Sequence, residues 1–504
     1  MNFIKQLKNN LNNDFNRSVT ENGAIGYRTT GKSLLDLNFA VASLRNASES
    51  EIIQRFMKAY FEDRKTALIW LFYARDIRGG LGERRLFRTI LKYLSLHNQE
   101  LPFKELLPLI PVYGRYDDLF CLLESDYRSA VIAYIDWQLK EDLKHMEEEK
   151  PVSLLAKWLP GINTSSEVTK ALGKTIAREL HMSQPLYRKT LSKLRKYLDV
   201  VEVKMSAGQF EDIQYESVPS KANLIYKNAF MAHDEVRRSI FLADVVKGKA
   251  KINSSVLFPH EIVSCYMKEN LVYDETLEQL WKSLPDTAAD CGNTLVVADG
   301  SGSMRVCIDN SGSTTALSVA NALAIYFAER CKGAFQNTYI TFSTNPQLVD
   351  LSKGSSLKEK LQIAGAHSEV ANTDIYKVFQ LILNTAVKNK MSQKDLPENI
   401  VIISDMEFDS CAVNAKANLF QVIDRLYRTH GYKLPRLIFW NVNARTNTIP
   451  VKENQLGVAL VSGFSIQIAD MVMSTQIDPY NCLLEILADE RYDALRNVIW
   501  KTCC

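Results

Sequence analysis

Apolar residues recur at i, i+3, i+4 and i+7 through SLLDLNFAVASLR, EIIQRFMKAYFEDRKTALIWLFYARDI and ERRLFRTILKYLSLH. That is the spacing of helices that bury one face. The same period returns in DYRSAVIAYIDWQLKEDLKHMEEE, EVTKALGKTIARELH, SQPLYRKTLSKLRKYLD, NLIYKNAFMAHDEVRRSIFLADVVKG and PHEIVSCYMKE. Gly, Pro and Asn mark short turns between these segments, and no strict repeat period links them. From about Ser33 to Trp281 the pattern therefore predicts an irregular, solenoid-like array of packed helix pairs.

After Pro285 the pattern changes. NTLVVAD, NTYITFST, ENIVIISD, PRLIFWNV and GVALVSG are short apolar runs of the kind that buried strands show, and PQLVDL reads as an edge strand. Helical stretches alternate with them, TALSVANALAIYFAERCKG and TDIYKVFQLILNTAVKNK among them. The expected fold class is α + α/β: an all-helical domain over residues 1–285, then a doubly wound, Rossmann-like α/β domain with a mostly parallel sheet over residues 286–504.

Composition narrows the function more than the fold. Apolar content of 46% and charged content of 24% are ordinary globular values. A net charge of +3 excludes a basic-tail protein, so any nucleic-acid site must be a local patch. The nine cysteines and seven histidines are scattered, with no CxxC pair and no zinc spacing, which points to free thiols in a reducing, cytoplasmic setting. The start, MNFIKQLKNNLNNDF, carries no apolar leader core, and no apolar run reaches the roughly 18 residues needed to span a bilayer. Cys503-Cys504 reads as two terminal thiols, with geranylgeranylation as the alternative; no polybasic run precedes them.

Doubly wound sheets bind ligands outside the carboxyl ends of their strands, so the residues that end each strand are the candidates. TLVVAD runs into DGSGSM, which sets Asp299, Ser301 and Ser303 on one tight loop. NIVIISD ends in Asp405, and Thr373 in ANTDI stands where a helix is expected to begin. Two carboxylates and three hydroxyls at one sheet edge form an all-oxygen donor set, suited to Mg²⁺ or another hard divalent cation that keeps waters. The alternative reading of these hydroxyls and acids is as helix caps. Glu407 and Asp409 in DMEFD lie beside the proposed cation, where one could activate a metal-bound water or hydrogen-bond to the ligands.

The D-x-S-x-S loop with a later Thr and Asp resembles the metal-ion-dependent adhesion site of von Willebrand factor A domains. The resemblance implies that Asp299, Ser301, Ser303, Thr373 and Asp405 hold the cation directly or through water. It also implies a protein partner whose Asp or Glu fills an open coordination position. Two departures stand out: Asn372 occupies a place where many members have Gly, and RVCIDNSGST lengthens the loop. In the helical part, ARDIRGGLGERRLF, YGRYDDLF, AKWLP, YRKTLSKLR, VPSKAN and KINSSVLFPHEIV resemble an uncharacterised family. That family joins a helical domain similar to the TROVE domain to a von Willebrand A domain. Its layout is distantly similar to the Ro ribonucleoprotein autoantigen, a ring-shaped RNA-binding protein, and so implies RNA as a partner.

Some residue chemistry fits RNA. Arg75, Arg78, Arg84, Arg85 and Arg88 surround a glycine turn, and Lys189, Lys193, Arg195 and Lys196 cluster with Tyr187 and Tyr197. Basic side chains suit phosphates and tyrosines can stack bases. Against this, Arg75 and Asp76 alternate in sign with their neighbours, which favours bracing of the helix junction, with Asp76 and Glu83 as partners for the arginines. The run from Lys189 to Lys196 has no acid before Asp199.

GYRTTGKS, residues 26–33, matches the phosphate-binding loop of P-loop NTPases, with Gly31, Lys32 and Ser33 as its core. The segment before it, NRSVTENGAI, lacks the apolar run of a buried strand, and TTGKSLLDLNFAV reads better as a turn with Thr30 as helix N-cap and Leu34, Leu35 and Leu37 on an apolar face. The expectation is a non-enzymatic, cytoplasmic RNA-binding scaffold with a Mg²⁺-dependent docking domain, without DNA specificity or membrane attachment. A metal-dependent protein scaffold that never touches RNA is the first alternative, and a P-loop NTPase the second.

Overall fold

Turn residues between short β-formers give the first structure in the chain, an antiparallel pair of β1 (Arg17–Val19) and β2 (Ile25–Tyr27). The computed structural model describes residues 4, 15–97, 101–288, 292–308, 314–342, 345–367, 374–409, 419–446, 448–451, 458–467, 469 and 478–502. Asn372, Thr373, the DNSGS segment (309–313) and Cys503-Cys504 lie outside the described residues.

The apolar runs after Pro285 assemble into one sheet. Its strands are β3 (Thr294–Asp299), β4 (Thr338–Phe342), β5 (Gln347–Asp350), β6 (Asn399–Ser404), β7 (Arg436–Asn441) and β8 (Val458–Ser462). They lie in the order β5-β4-β3-β6-β7-β8, parallel except for β5, which pairs antiparallel with β4 at the edge. Every residue of β3, β6, β7 and β8 is buried, as expected for parallel strands covered on both faces. The order runs outward in both directions from β3 and β6, so the switch point of the doubly wound sheet lies between these two strands.

The helix Ala316–Arg330 follows β3 and buries most of its length against the sheet. Thr315 caps it: the Thr315 hydroxyl accepts from the Ser318 N–H at 3.1 Å, and the Ser318 hydroxyl accepts from the Thr315 N–H at 3.1 Å.

Contacts divide the chain into two compact units, and the division does not follow chain order. One unit comprises Met1–Ala67 with Leu257–Asp489, the other Leu68–Val256 with Glu490–Cys504. The secondary structure changes from helical to α/β near Pro285, as the pattern predicts, while the first segment of the chain belongs to the unit that carries the sheet.

The helix Ser33–Leu44 explains that membership. Its sequence is apolar on every side rather than on one, and Leu34, Leu35, Leu37, Phe39, Val41 and Leu44 are all buried. A helix of that kind needs cover all round. It receives hydrogen bonds from the sheet's end: Asn441 Nδ2 donates to the Phe39 carbonyl at 2.7 Å, and Ser462 Oγ accepts from the Ala42 N–H at 3.0 Å.

The other unit is helical. Its longer helices are Arg84–His97, Arg128–Glu147, Glu167–Glu179, Gln184–Tyr197, Glu235–Val246 and Asp493–Thr502. At its centre the Asp118 carboxylate is completely buried and fully engaged. Oδ2 accepts from Arg75 Nε at 2.8 Å and from the Arg115 N–H at 2.9 Å, and Oδ1 accepts from Arg88 Nε at 2.5 Å. Gly114 leaves room for this centre, since a Cβ there would come within 2.4 Å of Asp118 Oδ2. Asp76 is held by Arg491, whose Nη2 donates to Oδ1 at 2.8 Å, and by the Tyr492 hydroxyl at 3.2 Å. Arg75 and Asp76 thus brace the unit, Arg75 through Asp118 and Asp76 through Arg491. No helix among the described residues is long and apolar enough to cross a membrane.

Candidate metal centre

β3 and β6 deliver their last residues side by side, with Ala298 in register with Ile403. Asp299 and Asp405 therefore emerge together at the switch point, each only 1% exposed. Both Asp299 oxygens are oriented by short bonds: Oδ1 accepts from the Ser301 N–H at 2.9 Å, and Oδ2 accepts from the Ser404 hydroxyl at 2.6 Å. The D-x-S-x-S loop then turns so that the Ser301 and Ser303 hydroxyl oxygens lie 2.9 Å apart. The Ser303 hydroxyl hydrogen-bonds to Asp405.

Burial raises the pKa of Asp299 well above the usual carboxylate range, and repulsion from Asp405 raises it further. Asp405 is shifted upward too, chiefly by burial, while Ser303 and the Arg445 charge oppose the shift. Asp405 Oδ1 accepts from the Glu407 N–H at 3.2 Å, but the buried Oδ2 has no hydrogen-bond partner among the described residues. The nearest cation to it is Arg445, whose Nη2 lies 3.4 Å away. A buried carboxylate oxygen with an ion pair at 3.4 Å and no hydrogen bond is only partly compensated, and a divalent cation would complete the balance.

The residues present fit a hard cation: two carboxylates and two hydroxyls, all oxygen, on one rigid sheet edge. Among the described residues no cluster of three or more His, Cys, Asp or Glu is set to hold a metal. An ion here would depend on the serine hydroxyls and on water as well as on the two acids. Thr373, the remaining expected ligand, falls outside the described residues; the helix it was to open starts at Ile375, with Asp374 as its cap.

Glu407 does not face the centre as a free base. It is fully buried and its two oxygens accept from the N–H groups of Glu21, Arg445 and Thr446 at 2.8, 2.9 and 2.7 Å, and from the Thr446 hydroxyl. It ties the loop after β7 and the β1–β2 turn to the loop after β6. Asp409 forms a bridge with Gly23 of that same turn. Sequence reading missed Ser404, Arg445 and Glu21. Ser404 and Arg445 follow the strand-end rule that found Asp299, since one closes β6 and the other stands just past β7. Nothing local in the sequence brings Glu21 here.

The proposed RNA residues divide. On the helix Gln184–Tyr197, Lys189, Lys193 and Lys196 are exposed and no ion pair involves them among the described residues. Tyr187 is buried, with its hydroxyl donating to the Pro160 carbonyl at 3.1 Å, so its ring is closed to a base. Arg195 donates to the Ala156 and Leu159 carbonyls at 2.8 and 2.7 Å, which makes it a brace rather than a phosphate contact. Tyr197 remains partly exposed, its hydroxyl bonded to the Lys150 carbonyl. Around the glycine turn, Arg78, Arg84 and Arg85 are exposed, while Arg88 is committed to Asp117 and Asp118.

GYRTTGKS begins inside a three-residue antiparallel strand, β2, rather than after a buried parallel one. Lys32 lies 3.5 Å from Glu62, the Ser33 N–H donates to Glu62 at 2.8 Å, and the Thr30 N–H and hydroxyl both donate to Asp36 at 2.7 Å. The Gly31 and Lys32 N–H groups donate to the Thr29 and Thr30 hydroxyls at 3.0 and 3.1 Å, so acids and hydroxyls of the chain itself take these donors. The N-cap position is Lys32, not Thr30, because Thr30 turns its hydroxyl to Asp36.

Two family models match the chain. A domain of unknown function, DUF2828, covers residues 130–294, and a second domain of unknown function, DUF7788, covers residues 293–489. The second match contains Asp299, Ser301, Ser303, Asp405 and Arg445. The chain is also similar to an uncharacterized protein, L728, of Acanthamoeba polyphaga mimivirus, with 29% identity over 513 residues, covering 94% of this chain and 87% of the viral protein.

Proposed function

We propose that the sheet-bearing unit is a divalent-cation-dependent docking module of a non-catalytic binding protein, built like a von Willebrand factor A domain. The observation that carries this reading is the Asp299–Asp405 pair: two buried carboxylates meet at the switch point, and one buried oxygen is left without a hydrogen bond. Asp299, Ser301, Ser303 and Asp405 would hold Mg²⁺. The bound ion supplies a positive centre that accepts an acidic side chain of a protein partner. The chain's own residues do the rest: Ser404 and the Ser301 N–H fix the Asp299 carboxylate, and Glu407 fixes the surrounding loops. Calorimetric titration with Mg²⁺ tests this. The expected result is one saturable site that Asp405→Asn and Ser303→Ala each weaken; heat indistinguishable from dilution in the parent protein removes the reading.

A second reading concerns the helical unit. The exposed face of Lys189, Lys193 and Lys196, with no ion pair among the described residues, favours a phosphate-bearing ligand, and the TROVE-like layout makes RNA the candidate. RNA retention by the parent protein should weaken steeply with salt and fall when these three lysines are changed to Glu. Retention that is equal in the two proteins would leave the module a protein scaffold alone.

A further inference from the structure

The turn between β1 and β2 lies against the candidate cation site at the far end of the chain from it in sequence. Its backbone is clamped: the Glu21 N–H donates to Glu407 Oε2 at 2.8 Å, Asn22 Nδ2 to the Glu407 carbonyl at 2.7 Å, and the Thr20 hydroxyl to the Phe408 carbonyl at 2.6 Å. The Glu21 side chain, 58% exposed, is held from outside the turn. It points at Arg445, whose Nη2 lies 2.5 Å from Glu21 Oε2 and 3.4 Å from Asp405 Oδ2. Both carboxylate oxygens thus face the same nitrogen, so they are no more than 5.9 Å apart. Arg445 thus links one acid of the site to one acid from outside it, as a metal ion does when it binds a fixed carboxylate and an incoming one.

We infer that Glu21 is a carboxylate donor supplied by the chain itself to the cation site, and that Arg445 holds the bridging position in the ion's absence. The inference rests on the cation-site reading above and names the acid that first meets the ion. An ion held by Asp405 would compete with the Arg445 guanidinium for that carboxylate, and Arg445 would swing away. Loss of the Arg445 pair would let the exposed Glu21 side chain rotate its carboxylate toward the ion, while the turn itself stays in place. A partner's acid must displace Glu21 to dock, so the turn competes with the partner for the same position.

Mn²⁺ serves as the probe, because the waters on it can be counted by electron paramagnetic resonance line broadening in oxygen-isotope-labelled water. Parent, Glu21→Ala, Arg445→Ala and Asp299→Asn proteins are compared. Arg445→Ala should bind Mn²⁺ on the order of tenfold more tightly, since one competing charge is gone. Glu21→Ala should bind it more weakly and carry one more water on the ion, which loss of a distant charge alone would not produce. Addition of acetate should remove that extra water in Glu21→Ala and have less effect on the parent. If Mn²⁺ binds the parent and not Asp299→Asn, but affinity and water count are the same in Glu21→Ala and Arg445→Ala as in the parent, the inference is overturned and the cation site stands. If no protein in the set binds Mn²⁺, the site reading itself fails, and the inference with it.

Discussion

Asp118 and the Asp299–Asp405 pair are both buried carboxylate centres, balanced in opposite ways. Asp118 has two arginines and a backbone N–H on its oxygens. Asp299 and Asp405 are two acids with one arginine near the second, and 3.4 Å is too far for a good hydrogen bond. Burial alone therefore does not separate a brace from a binding site. The charge balance does: a saturated acid holds helices together, and an undersaturated pair leaves room for a positive ligand.

The largest effect expected from this contrast is at the saturated centre. Asp118→Ala leaves Arg75 and Arg88 without their buried partner and should cost about 3–5 kcal/mol of stability in urea denaturation. At the undersaturated centre the sign changes. Asp299→Asn removes one of two repelling buried charges, so without metal the variant should be at least as stable as the parent. The parent should gain about 2.7 kcal/mol when Mg²⁺ is present at 100 times its dissociation constant, and Asp299→Asn should gain nothing. An equal Mg²⁺ response in both proteins would erase the distinction between the two centres.

A smaller effect is expected from pH. Burial holds both acids above their unfolded values, with repulsion from Asp405 adding to the shift of Asp299, so the metal-free protein gains stability from them while they stay protonated. That contribution is lost as pH rises through the raised values. Mg²⁺ binds the deprotonated pair, so the gap in melting temperature between loaded and metal-free protein should widen from mildly acidic to neutral pH. A gap that stays constant across this range would mean that the pair does not carry the ion.

Much of the fold was legible because parallel strands buried on both faces read as unbroken apolar runs, as in NIVIISD and PRLIFWNV. Asp299 and Asp405 were legible for the same reason, since the end of such a run is the place where ligands bind. The period of the helix Ser33–Leu44 alone makes it one more member of the helical array, although its apolar residues surround it on all sides. That pattern announces full burial but not the partner, and the partner is a sheet far along the chain. Tyr187 shows the reverse case. It falls in step with Leu191 and Leu194 at i+4 and i+7, so the period itself places it on the buried face and closes it to a base. Glu21 and Arg445 come together only through the fold, and no local pattern could have paired them.

The most direct measurement is an anomalous difference map from crystals soaked in Mn²⁺. One peak bonded to oxygens of Asp299, Ser301, Ser303 and Asp405, and lost in Asp299→Asn crystals, is the predicted result. Manganese bound at other acidic positions with no density between Asp299 and Asp405 would contradict the account.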